Sequence, residues 1–236
     1  MMSKTNRVKS FFRNCPLTRK TWIRLSDARL RRIKSRELME NGDDTVVRVQ
    51  KILSETGAFF FFDMGTLLGI VREGRLLKHD MDIDIGVRLK DEEEIKDLRE
   101  TLISKGCILR FNYSIDGIGT VESSFLIGGI KFDINYYRSE EGYPDSDICY
   151  LMYRDPEREY GKDELSVVRL VSPHIGSVVR TGFAGTEICI PENAEEYLAA
   201  RYGENWRVPD RGYVYWKGPS TSPTDYTGRV ETVTEI

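Results

Sequence analysis

The segment DMDIDIGV, Asp80–Val87, constrains the fold of this chain more than any other stretch. Its aspartates alternate with apolar residues, and this two-residue period is that of a β-strand with one buried face. Asp80, Asp82 and Asp84 therefore point to one face, and the apolar residues point into the core. Like charges at successive positions on one face repel, so the run costs stability unless a cation or a proton lies among the carboxylates.

A second predicted strand, IKFDINYY at Ile130–Tyr137, supplies another carboxylate. The same alternation places Asp133 on one face together with Lys131. If the two strands are neighbours, three carboxylates meet. Oxygen ligands without a nearby Cys or His cluster indicate Mg²⁺ or Mn²⁺ rather than zinc. The predicted metal ligands are Asp82, Asp84 and Asp133, with Asp80 as a further candidate. A solvated acidic edge is the alternative, but it leaves the repulsion within the run uncompensated.

A predicted phosphate site precedes the aspartates. Gly65 and Thr66 follow an apolar strand and begin a helical turn, where backbone N–H groups can bind a phosphate. Arg72 and Lys78 are candidate ligands for phosphate oxygens. His79 is a candidate substrate-binding residue, and its interpretation as a phosphate ligand, a general base or a spectator stays open.

Start and stop signals predict three helices. Their cap and stop residues are Asp43 or Asp44 with Gly57, Asp91 with Gly106, and Asn193 with Gly203. The predicted strands are Phe59–Asp63, Asp82–Val87, Ile108–Tyr113, Val121–Ile127 and Ile130–Tyr137. Gly128 and Gly129 form a two-residue hairpin signal between the last two strands. The pattern predicts an α+β fold, in which helices pack on a small mixed sheet and a helical element follows near the C-terminus.

Charge is unevenly distributed along the chain. Residues 1–36 contain 12 Lys and Arg and one acidic residue, although the net charge of the whole chain is −3. Within this part, Trp22, Ile23, Leu25, Leu30 and Ile33 fall on one helical face. Such a helix could lie on an anionic membrane surface or pack on the following domain, and the acidic remainder disfavours nucleic acid.

The predicted organisation has three parts. Residues 1–40 form a basic amphipathic segment, residues 41–217 a catalytic domain, and residues 218–236 a polar tail that wraps the surface or is loosely ordered. The sequence has neither a 20-residue apolar run nor the apolar region of a secretory signal. We therefore expect a cytoplasmic protein, peripheral at the inner face of the cell membrane if the basic segment binds lipid.

The segment GTLLGIVREGRLLKHDMDIDIGV resembles the signature of the LicD/fukutin family, a branch of the nucleotidyltransferase-fold superfamily. The similarity consists of a G-T-L-L-G-x-x-R segment, which includes Arg72, followed by an aspartate-rich strand. Residues Ile188–Asp210 resemble the closing element of the family, a helix that begins after a proline and ends in Tyr-Gly before a Trp. The resemblance covers roughly residues 44–210 and implies a nucleotidyltransferase-like catalytic domain.

The resemblance also implies an activity. Family members transfer a phosphorylated group, such as phosphocholine or a phosphoalditol, from a CDP-linked donor to a sugar hydroxyl, and CMP leaves. The implied acceptor is a cell-envelope glycan or lipid-linked oligosaccharide. Asp82 and Asp84 would hold Mg²⁺ on the donor phosphates, and Asp133 would complete the metal site or take the proton of the attacking hydroxyl. Arg72 and Lys78 would bind phosphate oxygens.

Two alternatives stay open from the sequence. A nucleotidyltransferase would move the nucleotide itself to a small molecule, RNA or protein, and would release pyrophosphate instead of CMP. A non-catalytic module would bind a nucleotide and use the basic helix as a tether. The complete carboxylate set argues against the second alternative, because a degenerate site is expected to lose at least one ligand.

Overall fold

The protein is described by a computed structural model of residues 16–235, with the side chains of residues 28–235. The helices within this range are α1 (Pro16–Ser54), α2 (Met64–Glu73), α3 (Glu92–Ser104) and α4 (Ala194–Tyr202), with a 3₁₀ turn at Tyr215–Lys217. The strands are β1 (Phe59–Phe62), β2 (Ile83–Arg88), β3 (Ile108–Ile115), β4 (Gly119–Ile127), β5 (Ile130–Tyr137), β6 (Ser146–Tyr153), β7 (Glu164–Pro173), β8 (Val178–Phe183), β9 (Thr186–Pro191) and β10 (Thr221–Thr232).

One large mixed sheet organises the fold. Its eight strands have the order β1-β2-β5-β4-β3-β10-β7-β6, and β8 and β9 form a separate hairpin. The β2–β5 pair is parallel and the other pairs are antiparallel. The predicted α+β class is therefore confirmed, but the sheet is larger than predicted because β6, β7 and β10 extend it beyond the strands that the sequence pattern indicated.

Local sequence signals account for most of the predicted elements. The five predicted strands are present with ends shifted by one or two residues, and Gly128 and Gly129 turn the β4–β5 hairpin with φ of 60° and 86°. Asp91 caps α3, since its Oδ1 accepts from the backbone N–H groups of Glu93 and Glu94 at 3.0 Å. The predicted third helix is α4, although Asn193 forms no side-chain cap there.

The predicted cap at Asp43 or Asp44 is wrong, because α1 continues without interruption through the Asn-Gly-Asp-Asp sequence. Gly42 explains the continuity. A Cβ at this glycine would lie 2.5 Å from Leu76 Cδ1, so the helix backbone packs tightly against the domain at this residue. Leu38 and Val46, one turn to either side, are buried. Tertiary packing thus outweighs the turn propensity of these residues.

Residues 16–40 of the predicted N-terminal segment therefore continue into the domain as part of this one helix. Of the predicted apolar face, the side chains of Trp22, Ile23 and Leu25 lie outside the described residues. Leu30 and Ile33 are 52% and 44% exposed, so neither is buried against the domain.

The expectation of a loosely ordered tail after residue 218 is also wrong. β10 pairs with β3 on one side and with β7 on the other, with a bulge between Pro223 and Thr227. Strand pairing uses backbone groups, so a polar sequence can occupy an inner position of a sheet when its side chains stay near solvent. Most side chains of β10 are exposed or partly exposed.

Candidate active site

The parallel pairing of β2 and β5 brings the predicted carboxylates together. Asp84 lies directly opposite Asp133 in the register, and Asp82 precedes them on the same face of β2. Asp133 is buried, whereas Asp82 and Asp84 are partly buried. The predicted site required these two strands to be neighbours, and β2 and β5 are neighbours in the sheet.

Lys131 joins two of these carboxylates. Its ammonium group donates to Asp82 Oδ2 at 2.9 Å and to Asp133 Oδ2 at 2.6 Å, and the Ser124 hydroxyl donates to Asp133 Oδ1. Asp133 and Asp82 are among the causes that raise the pKa of Lys131 well above its usual value against the opposing effect of burial. Sequence reasoning placed Lys131 on the correct face but did not predict this bridge, which depends on the spacing between strands.

The electrostatics around Asp84 are strongly unfavourable for an anion. Burial raises the pKa of Asp84 well above its usual range, and the charges of Asp82, Asp133, Asp63 and Asp80 raise it further. Burial, followed by the charge of Asp82, raises the pKa of Asp80 to about 7, although Arg72 opposes the shift. The site therefore holds more carboxylates than the nearby cations neutralise.

The excess of carboxylates can be compared with the ligands that Mg²⁺ prefers. Oxygen ligands with uncompensated negative charge are the donor set that a hard divalent cation prefers. Among residues 28–235, however, no group of three or more Asp, Glu, His or Cys side chains converges closely enough to enclose a metal ion. Lys131 lies between Asp82 and Asp133, so these two carboxylates bind an ammonium group. The chemistry of the donor set fits Mg²⁺ or Mn²⁺, and Asp84 on β2 is the carboxylate at this point that Lys131 does not contact in the part of the chain with described side chains.

The predicted phosphate-binding turn also positions the aspartates. The Thr66 hydroxyl accepts from the backbone N–H of Asp84 at 2.9 Å, which fixes the start of β2 against the first turn of α2. Asp80 lies over Gly65, where a Cβ would be 2.8 Å from Asp80 Oδ2. A side chain at residue 65 would therefore displace this carboxylate from the N-terminal turn of α2.

The three predicted basic ligands have different surroundings. Arg72 is 10% exposed and donates to the Trp206 carbonyl at 3.3 Å and to Glu73 Oε1 at 3.0 Å. His79 is 78% exposed, and its Nε2 lies 3.9 Å from Asp80 Oδ1. Lys78 is exposed, and its carbonyl accepts from the Ser35 hydroxyl of α1. Arg72 is thus held near Asp80 by the fold, whereas the side chains of Lys78 and His79 extend toward solvent.

Glu122 on β4 is a site residue that sequence reasoning missed. It lies two residues from Ser124, on the face that carries Asp133. Burial, followed by the charge of Asp133, raises the pKa of Glu122 to about 8, and Lys131 opposes the shift. Strand alternation places Glu122 and Ser124 on one face, but the sequence alone did not show which face adjoined the aspartates.

Comparisons with known proteins agree with this arrangement. Residues 57–154, which contain β2, β4 and β5, match the family model described as LicD/FKTN/FKRP, nucleotidyltransferase domain. This part of the chain is therefore similar to the LicD/fukutin family, as the sequence motifs suggested. It is 22% identical over 174 residues to the proteins named Ribitol-5-phosphate transferase FKTN from Macaca fascicularis and Homo sapiens, a match that covers 72% of this chain and 34% of each relative.

The Mus musculus protein of the same name is 22% identical over 198 residues, which cover 82% of this chain and 37% of that protein. The LicD/fukutin match thus spans about a third of the length of these relatives. No helix within residues 16–235 contains a segment long and apolar enough to cross a membrane.

A further buried aspartate, Asp63, adjoins the candidate site. Asp63 is fully buried and accepts hydrogen bonds from the hydroxyls of Tyr137 (2.8 Å) and Tyr197, and from the backbone N–H of Met64 (2.6 Å). Its own backbone N–H donates to the carbonyl of Asp84 at 3.0 Å. Burial raises the pKa of Asp63, and the three hydrogen bonds oppose that shift. This network joins β1, β5 and α4 directly behind Asp84.

Proposed function

We propose that this chain is a Mg²⁺-dependent phosphotransferase that moves a phosphoalditol or phosphocholine type of group from a CDP-linked donor to a sugar hydroxyl of a glycan. The observation that carries the proposal is the pairing of Asp84 with Asp133 across parallel strands, with Asp82 beside them. The FKTN relatives, named as ribitol-5-phosphate transferases, support the phosphoalditol class.

Asp82 and Asp84 would hold the metal ion, with Asp133 and Asp80 as further candidates. Mg²⁺ would neutralise charge on the donor phosphates and orient them for in-line attack. The raised pKa of Asp84 supports this assignment, because a group that repels its neighbours when ionised gains most from a cation. Mn²⁺ would suit the same oxygen ligands.

In the proposed reaction, the acceptor oxygen forms a bond to the phosphorus that carries the transferred group. The bond from that phosphorus to the bridging oxygen breaks, and CMP leaves with the electron pair. Arg72, held beside Asp80, would stabilise negative charge on the phosphate oxygens, and Lys78 and His79 are further candidates at the solvent side. The hydroxyl proton passes to a carboxylate or to water, and the identity of that base stays open.

The acceptor in this proposal is a cell-envelope glycan or a lipid-linked oligosaccharide. The proposed location is the cytoplasm, with peripheral contact at the inner face of the cell membrane. The support for that contact is the density of Lys and Arg in residues 1–36, since polybasic segments are attracted to anionic lipid headgroups.

A ligand panel tests the donor class. Melting temperatures would be measured with CDP, CMP, CDP-choline, CDP-glycerol, CDP-ribitol, ATP and UDP-sugars, each with and without Mg²⁺, in the wild type and in Asp84→Asn. We expect a Mg²⁺-dependent increase confined to cytidine compounds and absent from the variant, because a ligand that binds only the native state stabilises it. An increase with UDP-sugars alone would contradict the proposal.

Nucleotidyl transfer is the second candidate, and the matched family model favours it because its description names a nucleotidyltransferase domain. The released product separates the two reactions. CMP from a CDP-linked donor supports phosphotransfer, whereas pyrophosphate from a nucleoside triphosphate supports nucleotidyl transfer. A chain that binds nucleotides but releases neither product would be a non-catalytic module.

A further inference from the structure

A groove separates the basic helix α1 from the carboxylate site. It has a volume of about 250 Å³ and opens beside Asp82. The residues that line it are Leu30, Arg31 and Lys34 of α1, and Met81, Asp82 and Lys131 of the domain. The groove therefore joins the predicted N-terminal segment to the candidate active site, although the sequence indicated no connection between them.

The fold holds α1 in place at this groove. The Ser35 hydroxyl donates to the carbonyl of Lys78, which lies in the loop that leads to Asp80. One turn further along, Leu38 is 1% exposed and belongs to the core. Lys34, next to Ser35, is partly buried. The position of this helix turn relative to Asp82 is thus set by packing and by a hydrogen bond.

The charges at the groove favour an anion. Arg31 and Lys34 contribute two cations to its lining, whereas the third, Lys131, is already bonded to the carboxylates of Asp82 and Asp133. Arg31 and Lys34 form no ion pair with any residue in the range 28–235. A guanidinium and an ammonium group one helical turn apart can bind separate oxygens of one polyphosphate.

From this geometry we infer that Arg31 and Lys34 bind phosphoryl oxygens of the diphosphate in the nucleotide donor. The inference rests on the proposed function, because Asp82 and Asp84 would hold the metal ion on the same diphosphate from the other side of the groove. Helix α1 is then a wall of the substrate site, and two of its basic residues, Arg31 and Lys34, serve substrate binding.

The test compares two double variants of the whole chain. Arg31→Gln/Lys34→Gln removes both cations from the groove, and the matched control Arg32→Gln/Arg36→Gln removes two charges from residues of α1 that do not line it. Arg32 lies about 200° around the helix from Lys34, and Arg36 is 80% exposed. Isothermal titration with CDP and with inorganic pyrophosphate, each with Mg²⁺, gives Kd for wild type and both variants.

We expect Kd for both ligands to increase about tenfold or more in the groove variant and to stay within about twofold of wild type in the control. Unliganded melting temperatures report folding, and Arg31→Gln and Lys34→Gln as single variants replace the double variant if it unfolds. Equal losses in the two double variants would mean a general charge effect and would overturn the inference.

The remaining outcomes separate the inference from the proposed function. If wild type binds CDP and the groove variant binds it equally well, the inference is wrong while the donor class stands. If wild type binds pyrophosphate but not CDP, and the groove variant loses that binding, the groove assignment holds while the cytidine donor is wrong. If wild type binds neither ligand, the groove is not an anion site.

Loss of binding to phosphatidylserine vesicles in both variants, with Kd for CDP unchanged, would assign these cations to a lipid surface and overturn the inference.

Discussion

Asp63, between β1 and α2, and Asp84, on β2, are joined by a backbone hydrogen bond, yet their side chains have different surroundings. Both oxygens of Asp63 accept hydrogen bonds from tyrosine hydroxyls and a backbone N–H group. Asp84 is instead surrounded by Asp82, Asp133, Asp63 and Asp80, whose charges raise its pKa. A buried carboxylate whose oxygens are satisfied stabilises a fold, whereas one placed among other carboxylates is stabilised by a cation or by a proton. From this comparison we predict a structural role for Asp63 and a role in ligand binding for Asp84.

The largest expected effect is on turnover in Asp84→Asn. The change removes a charge that would hold the metal ion, so we expect turnover to fall by about 1,000-fold. The free energy of unfolding should stay equal or increase, because repulsion from Asp82 and Asp133 is relieved. Steady-state kinetics and urea denaturation measure the two quantities. Asp82→Asn should lower turnover to a similar extent, and Asp97→Asn, at an exposed residue of α3, is the isosteric control. Near-normal turnover in either site variant would contradict the metal assignment.

Asp63→Ala should show the opposite pattern. It leaves the hydroxyls of Tyr137 and Tyr197 without their acceptor and removes the cap of α2, so we expect the free energy of unfolding to decrease by about 3 kcal/mol. Urea denaturation measures the loss. Asp63→Asn retains one acceptor oxygen and should cost less. A decrease below about 1 kcal/mol for the alanine variant would remove the structural role assigned to Asp63.

Mg²⁺ should stabilise the wild type by about 2.7 kcal/mol at 100 times its Kd. Without the ion, stability should decrease as pH rises from about 4 to 7, because the folded protein retains a proton on Asp80, whose pKa is about 7, that the unfolded chain releases near its usual pKa. The stabilisation by Mg²⁺ should therefore be larger at pH 8 than at pH 6. Melting temperatures at matched ionic strength measure it. An equal increase in Asp82→Asn would place the ion elsewhere.

The smallest expected effect is that of Tyr197→Phe. One hydrogen bond to Asp63 is lost while the bond from Tyr137 persists, so the free energy of unfolding should decrease by about 1 kcal/mol. Turnover should stay within about twofold of wild type, since the hydroxyl contacts no predicted ligand of the metal or the donor. A large loss of turnover at unchanged stability would show that the network acts on Asp84, and the two aspartates would then form one site.

Local sequence signals predicted the elements around the site because each is decided by adjacent residues. Asp91 and Gly106 delimit α3, two glycines turn the β4–β5 hairpin, and the alternation in β2 places its aspartates on one face. The same signals gave the wrong secondary structure where contacts between distant residues determine it. Gly42 stays helical because Leu76 packs against it, and polar β10 joins the sheet because β3 and β7 offer backbone partners on both sides.

The sequence by itself determined the α+β class, the strands that carry Asp82, Asp84 and Asp133, and the excess of carboxylates on one face, since all of these follow from periodicity along the chain. Only the tertiary structure decided that Asp84 faces Asp133, that Lys131 bridges two carboxylates, and that Asp63 is satisfied by two tyrosines. The physical reason is the distance along the sequence over which each interaction acts. Side-chain direction is set by neighbouring residues, whereas hydrogen bonds between distant residues, such as Tyr197 and Asp63 at 134 positions apart, depend on how strands and helices pack.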